Sequence, residues 1–431
     1  MMALWIMLLF VVLLLLSVPI SAGLSISSLL PSLLDPNFPV KGEYIIRSML
    51  GGIDSFPLLA IPMFVLSGIL MARGGVSKRL FDIFAYFLGN RLAGMPCAVI
   101  ITCLFYGAIS GSAPATVAAV GSMTIPMLVS MGYDKTFITA LVAVAGGLGV
   151  IIPPSIPFIL YGMASRTSVG DMFMAGILPG IFIALLLILY SLWYCKRYGE
   201  DKEKIHAKIS ILHQKGFKKV FLDSFWALLT PFIILGCIYS GIASPTEAAV
   251  ISVFYALFIS VFIYKTLKLK DMKAILVESI RTFAPLLFIL ASAVAFSRVL
   301  TLLQIPQQAG EFILSNFHTK LSILLIMNVI LLAVGMVMDT SPAILILTPI
   351  LLPIAQGAGI NPIHFGIIMV VNLAIGFVTP PIGINLFVAS SLTDIEVFKI
   401  ARKALPLVLI FLVALLILTL VPQISLLLAG G

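Results

Sequence analysis

The chain has 431 residues, of which 61% are hydrophobic and only 10% charged, against about 25% charged in a soluble domain. Such a chain cannot cover a globular surface in water, which excludes an ordinary soluble enzyme or binding module. The net charge of +9 does not mark a nucleic-acid binder, because the lysines and arginines fall in short segments between apolar runs.

A hydrocarbon core about 30 Å thick needs ~20 apolar residues per helix. Residues 1–34 carry no charge, and a cleavable signal peptide normally starts positive, so residues 3–21 are read as a retained first span. A polar, proline-containing loop to about residue 43 follows, then a second span over 54–72. Residues 77–93 alternate charged and aromatic positions and predict an amphipathic helix lying along the interface. Residues 95–131 hold two apolar segments around a Gly/Ser/Pro break, and 134–165 is an apolar stretch broken at Pro153-Pro154. A charge-free span over 172–195 leads into a basic loop that runs from Lys196 to Lys219. Two spans over 220–242 and 245–264 precede a second basic loop with Lys265, Lys268, Lys270 and Lys273. From about residue 276 the order starts again. The modules expected are 1–94 (first span, outer span and arm helix), 95–195 (hairpin, broken helix, span), 196–275 (basic loops and span pair), 276–320 (span and arm) and 321–431 (hairpin, broken helix, final span).

The restart is a repeat. At a shift of 227 or 228 residues Pro57 meets Pro285, Pro114 meets Pro342, Pro126 meets Pro353, Pro153-Pro154 meets Pro380-Pro381, and Pro179 meets Pro406. Gly132 and Gly149 meet Gly359 and Gly376 in the same way. Placing both basic loops in the cytoplasm puts the amino terminus inside as well. The first hairpin then enters from the cytoplasm and the second from outside, the inverted-topology repeat of secondary transporters.

The hairpin tips read Ser110-Gly111-Ser112-Ala113-Pro114-Ala115-Thr116 and Met338-Asp339-Thr340-Ser341-Pro342. Ser112 and Asp339 suit the helix N-cap and the prolines the first turn. A half-helix N-terminus at membrane depth presents free N–H groups and a positive dipole end, which can hold a carboxylate without a buried arginine. In the broken helices, Pro153, Pro154, Pro380 and Pro381 remove backbone donors and free carbonyls in the preceding turn, around Ile152 and Val378. A dehydrated sodium ion wants such carbonyls, and Ser112, Thr116 and Ser155 on one side and Thr340, Ser341, Thr379 and Asn385 on the other add side-chain oxygens. Among ionisable residues in spans, Glu247 starts a helix at Ser244-Pro245-Thr246 and suits either a dipole-favoured cap or a functional carboxylate. Asp339 suits a cap, an ion ligand or a proton carrier; Arg298 suits an anionic substrate or the outer interface. Cys97, Cys103, Cys195 and Cys237 have no CxxC spacing and read as apolar packers, and no HExxH, Walker A or GxSxG motif occurs.

Five ordered motifs, GAISGSAPATVAAVG (107–121), GVIIPPSIPFILYG (149–162), SPTEAA (244–249), MDTSPAILILTPILLP (338–353) and NLAIGFVTPPIGINLFVA (372–389), resemble the large membrane subunit of TRAP transporters over essentially the whole chain. The resemblance implies an all-α elevator-type membrane fold and sodium-driven uptake of an organic acid into bacteria across the inner membrane, with Na+ as coupling ion and no other cofactor. It implies two partners, a periplasmic substrate-binding protein and a small four-span membrane subunit. The latter is expected as a separate polypeptide, because one span precedes the repeat. Carried over by motif, Ser110, Ser112, Thr116, Ile152 and Ser155 resemble one sodium site, and Asp339, Thr340, Ser341, Val378, Thr379 and Asn385 the other. The substrate is then expected between the tips, near Ser112, Ser155, Asp339 and Ser341, with Arg298 as a further anion partner. A stand-alone symporter of similar architecture is the alternative within transport. An intramembrane enzyme is the rival from another class, and it lacks a locally spaced catalytic pair.

Overall fold

A computed structural model describes residues 2–35 and 37–429. All regular structure among these residues is helical. Helices α1 (Met2–Leu15) and α2 (Ile20–Leu34) replace the single span expected over 3–21 and most of the loop after it. The break sits at Ser17, with φ of 61°, followed by Val18-Pro19. Proline disfavours helical geometry in the residue before it, so the apolar run is cut although its composition is continuous. The serines that read as loop are satisfied inside α2: Ser28 donates to the Leu24 carbonyl at 2.7 Å, and Ser25 reaches Ser292 at 3.1 Å.

Helix α3 (Gly42–Ile53) and a 3-10 turn lead to α4 (Ala60–Arg73). The expected arm helix is α5 (Val76–Leu88), which buries Leu80, Phe81 and Ile83 and ends at Leu88, five residues before its predicted end at 93. The first hairpin is α6 (Gly94–Ser110) and α7 (Ala113–Ser130). The first broken helix is α8 (Lys135–Ala145), a 3-10 turn over Gly146–Val150, and α9 (Ile156–Ser165). Then come the long α10 (Val169–Tyr198), α11 (Lys202–Gln214), α12 (Phe217–Tyr239) and α13 (Pro245–Phe258). Much of the first basic loop is thus helix α11, which lays Ile205, Ile209 and Leu212 inward and packs against α5. Its start is capped by Asp201, which accepts from the Lys204 amide at 3.1 Å and pairs with its ammonium; that exposed pairing holds the Asp201 carboxyl below its ordinary pKa.

The second half repeats the order with α14 (Met272–Leu302), α15 (Ile305–Asn316), the hairpin α16 (Lys320–Gly335) and α17 (Thr340–Gly357), the broken helix α18 (Pro362–Gly376) and α19 (Ile384–Thr393), and α20 (Val397–Leu420). The final span is Val397–Leu420 and stops just before Val421-Pro422. Eight helical segments among the described residues are long and apolar enough to cross a bilayer, as befits a multi-pass membrane protein.

The halves interlock. Helix α7 packs on α19, and α17 packs on α9, so each hairpin leans on the second half-helix of the other repeat. The first parts of the broken helices form the centre: every residue from Phe137 to Val150 and from His364 to Gly376 is buried. A helix apolar on all sides has no face for water or headgroups and is enclosed by protein. Among the polar exceptions, Asn372 donates to Asn328 Oδ1 at 2.9 Å and Asn328 to Thr419 at 3.0 Å, whereas both ring nitrogens of His364 are buried without a hydrogen-bond partner. Helices α4, α13 and α14 pack together on the flank, with Phe254 and Phe262 turned outward as a bilayer demands.

Candidate functional site

At the first tip Gly111 turns the chain with φ of 60°, a left-handed geometry that favours glycine. Ser112 takes the N-cap position of α7, and Pro114 the first turn. Thr116 donates to the Ser112 carbonyl at 2.8 Å, and the Ser110 and Thr116 hydroxyls lie 3.0 Å apart. At the second tip Asp339 caps α17: its Oδ1 accepts from the Thr340 amide at 2.7 Å and from the Thr340 hydroxyl at 3.3 Å.

The breaks lie directly against the tips. The Ile156 amide, just past Pro153-Pro154, donates to the Gly111 carbonyl at 3.4 Å, and Ser155 donates to the Val150 carbonyl at 2.6 Å. Opposite, the Ile382 amide donates to the Met336 carbonyl at 3.2 Å, and Thr379 donates to the Ile375 carbonyl at 2.7 Å. Ile152 and Val378 are both buried at the start of their breaks. Pro153 and Pro154 are buried too, whereas Pro381 is exposed. Asn385 joins the repeats: its amide nitrogen donates to the Ala143 carbonyl of α8 at 3.0 Å, while its buried oxygen has no hydrogen-bond partner.

These bonds fit an oxygen-ligated cation. Thr116, Ser155 and Thr379 each commit the hydroxyl proton to a backbone carbonyl, which leaves oxygen lone pairs for a positive ligand. The unpartnered Asn385 oxygen is a ready acceptor in a place where an unmet polar atom is costly. Close approach of tip and break depends on glycine pairs that sequence reading only half found. Gly149 and Gly376 coincide in the repeat, and so do Gly107 and Gly335. A Cβ on Gly107 would lie 2.7 Å from the Gly149 Cα, and one on Gly376 only 2.2 Å from the Gly335 carbonyl oxygen.

Both tips open into one cavity of about 810 Å³. Ser110, Gly111, Ser112, Asp339, Thr340 and Ser341 all line it, with Tyr106 and Phe377 beside them and the flank of α4 and α14 as the far wall. The structure thus brings the two predicted tips together. Thr116, Ser155, Thr379 and Asn385 sit behind that surface, at the tip–break contacts.

A family model described as "Tripartite ATP-independent periplasmic transporter, DctM component" matches residues 7–424. The chain belongs to the TRAP transporter large-permease family. Among relatives of this TRAP subunit, the isethionate TRAP transporter permease protein DctMQ of Oleidesulfovibrio alaskensis is 43% identical over 98% of this chain, which spans 65% of that protein's length. The C4-dicarboxylate TRAP transporter large permease protein DctM of Pseudomonas aeruginosa is 42% identical over 86% of each chain. The sialic acid TRAP transporter large permease protein SiaM of Vibrio cholerae is 34% identical, over 90% of this chain and 89% of its own. Two solved transporters share the fold at low identity. YdaH of Alcanivorax borkumensis matches with a TM-score of 0.63 and 17% identity over 96% of this chain and 98% of its own. MtrF of Neisseria gonorrhoeae matches with 0.64 and 15% over 96% and 94%. The family is a transporter permease, not an enzyme.

Three expected site residues of this TRAP permease lie off the cavity, the first being Ser155, expected beside the substrate but fully buried behind the wall. Arg298 does not line the cavity; its guanidinium donates to Ser48 of α3 at 3.3 Å. Glu247 is exposed and completes a capping box at the start of α13, accepting from the Ser244 amide and hydroxyl at 2.7 Å each. Its carboxylate has a full local explanation in the helix start. Glu247→Ala is expected to lower the melting midpoint slightly, by loss of the capping box, and to leave sodium dependence unchanged, as read by thermal melting and uptake of the same preparation.

Proposed function

We propose that this chain is the membrane-translocating subunit of a sodium-coupled importer of organic anions. One observation carries the proposal: two symmetry-related hairpin tips line a single cavity, and the two proline breaks, with their hydroxyls and the Asn385 oxygen, pack directly behind those tips. Sodium is co-transported cargo here. One ion is held by the Ser110, Ser112, Thr116, Ile152 and Ser155 group, and one by the Asp339, Thr340, Ser341, Val378, Thr379 and Asn385 group. The anion sits between the tips, facing the N-termini of α7 and α17 and reaching Ser112 and Ser341.

The coupling follows from charge. An anion beside an uncompensated Asp339 carboxylate, at ~5 Å and an effective dielectric constant of about 20, is repelled by about 3 kcal/mol. A sodium ion on Asp339 removes that repulsion, so ion and anion bind better together than apart, and the linkage is reciprocal. Alternating exposure comes from moving the hairpin–break unit (about 95–180 and 321–410) against α4, α13 and α14 in an elevator motion. The names of the relatives support a carboxylate or sulfonate substrate. The tripartite family description supports a periplasmic binding protein and a second, small membrane subunit as partners; four spans in that subunit and a bacterial inner-membrane location are part of the proposal. The distribution of basic segments supports a cytoplasmic amino terminus.

Proteoliposomes holding this chain and its small subunit, with the binding protein outside, test the proposal. Uptake of labelled succinate, isethionate and sialic acid is measured under an inward sodium gradient and with potassium in its place. One of the three anions is expected to accumulate, only with sodium and the binding protein. Uptake of equal size in potassium contradicts sodium coupling. Uptake without the binding protein turns the assignment to a stand-alone symporter.

A further inference from the structure

The cavity ends, away from the tips, at charges that neither ion group uses. Arg73 closes α4, Glu278 lies on α14, and the guanidinium donates to the carboxylate across the gap between these helices. Lys78 of α5, paired with Asp82 at 3.2 Å, lines the cavity together with them and the tips. Each partner of the pair keeps 44% of its side-chain surface exposed, so water reaches it.

A staple between two flank helices is the plainest role, but exposed ion pairs contribute little to stability. The repeat argues for more. At the 228-residue shift Arg73 corresponds to Thr301, Lys78 to Pro306 and Glu278 to Leu50. The charges are therefore confined to one mouth and were not supplied by duplication. Arg73 and Lys78 are basic residues that the positive-inside rule places in the cytoplasm, which makes this the inner mouth.

We propose that Arg73 is an anion station at the inner mouth of the cavity, kept in reserve by Glu278. A carboxylate or sulfonate leaving the tips displaces Glu278 from the guanidinium, whose planar fork matches either group, and then passes to water. Glu278 returns to Arg73 behind it. Without Glu278, Arg73 and Lys78 together retain the anion; without Arg73, Glu278 repels it. This inference rests on the organic-anion proposal above.

The field and the function are tested separately. A cysteine is placed at Ser122, which is exposed on the cavity wall of α7, in a Cys237→Ser background; the other three cysteines are buried. Labelling rates are measured for an anionic and a cationic methanethiosulfonate on the full chain with its small subunit. Glu278→Gln is expected to raise the anionic-to-cationic ratio about threefold, Arg73→Gln to lower it about as much, and the double variant to lie near the parent. Ratios that stay fixed in both single variants overturn the proposal, and the double variant shows whether a change reflects charge or misfolding. In proteoliposomes, efflux of the transported anion is expected to slow about threefold in Glu278→Gln. A shifted ratio with unchanged efflux also overturns the station. If the parent protein moves no organic anion while the ratios shift as expected, the functional proposal fails and the charged mouth stands.

Discussion

Gly376→Ala is expected to raise the sodium concentration needed for coupled uptake about tenfold, while Gly335→Ala at the other side of the same crossing is expected to be mild. A Cβ on Gly376 would sit 2.2 Å from the Gly335 carbonyl oxygen and 2.3 Å from its carbonyl carbon, both backbone atoms. No rotamer relieves that overlap, so α16 or the break must move. A Cβ on Gly335 meets Leu373 at 3.2 and 3.3 Å, which a small shift accommodates. Overpacking of this kind costs about 1–3 kcal/mol in a soluble core. The larger consequence is displacement of Thr379 and Asn385 from the second tip. If sodium affinity falls by ~1.4 kcal/mol, the concentration for half-activation rises about tenfold. Gly149→Ala should behave like Gly376→Ala, since its Cβ would meet Thr116 Oγ1 at 2.5 Å and the Ser112 oxygen at 2.7 Å. Sodium titrations of uptake with the four variants Gly149→Ala, Gly376→Ala, Gly107→Ala and Gly335→Ala check this. Equal effects of Gly335→Ala and Gly376→Ala would show that the crossing does not set the geometry.

Ser155→Ala and Thr379→Ala are each expected to raise the half-activating sodium concentration about tenfold or more. Bonds from a neutral group to a charged one contribute about 1.5–3 kcal/mol, and each substitution deletes one such oxygen. It also releases the carbonyl of Val150 or Ile375 from its hydroxyl partner. Ser155→Thr and Thr379→Ser keep the hydroxyl and should recover much of the affinity. Sodium activation curves that match the parent in both alanine variants would remove these hydroxyls from the ion groups.

Much of this was legible in the sequence, because the signals were of kinds that membranes enforce. Every backbone group at membrane depth needs a partner, so paired prolines in apolar runs mark breaks that line a site, and the 227–228-residue shift doubled each signal. The tips, the breaks and the arm helix were found within a few residues. The first helix was misjudged because hydropathy is blind to the turn at Ser17, and α2 hides its serines by bonding them to its own carbonyls and to Ser292. Glu247 reads from sequence as either a cap or a functional carboxylate, and the structure shows its carboxylate bonded three residues away to the Ser244 amide and hydroxyl. Arg298 carried the opposite lesson. A charge in a span points to some partner, and here the partner is Ser48 on α3, which falls between the loop read to about residue 43 and the span read from 54. The Arg73–Glu278 pair joins residues 205 positions apart, and no local pattern announces it.

The most direct test of the account is whether the chain itself binds sodium. Melting of the purified protein is followed in sodium chloride and in potassium chloride at equal ionic strength. At sodium one hundred times its dissociation constant, a single site adds about 2.7 kcal/mol of stability. The account predicts a midpoint that rises with sodium and stays flat in potassium, with the rise lost in the Ser155→Ala/Thr379→Ala double variant. The same midpoint in both salts at every concentration would contradict it.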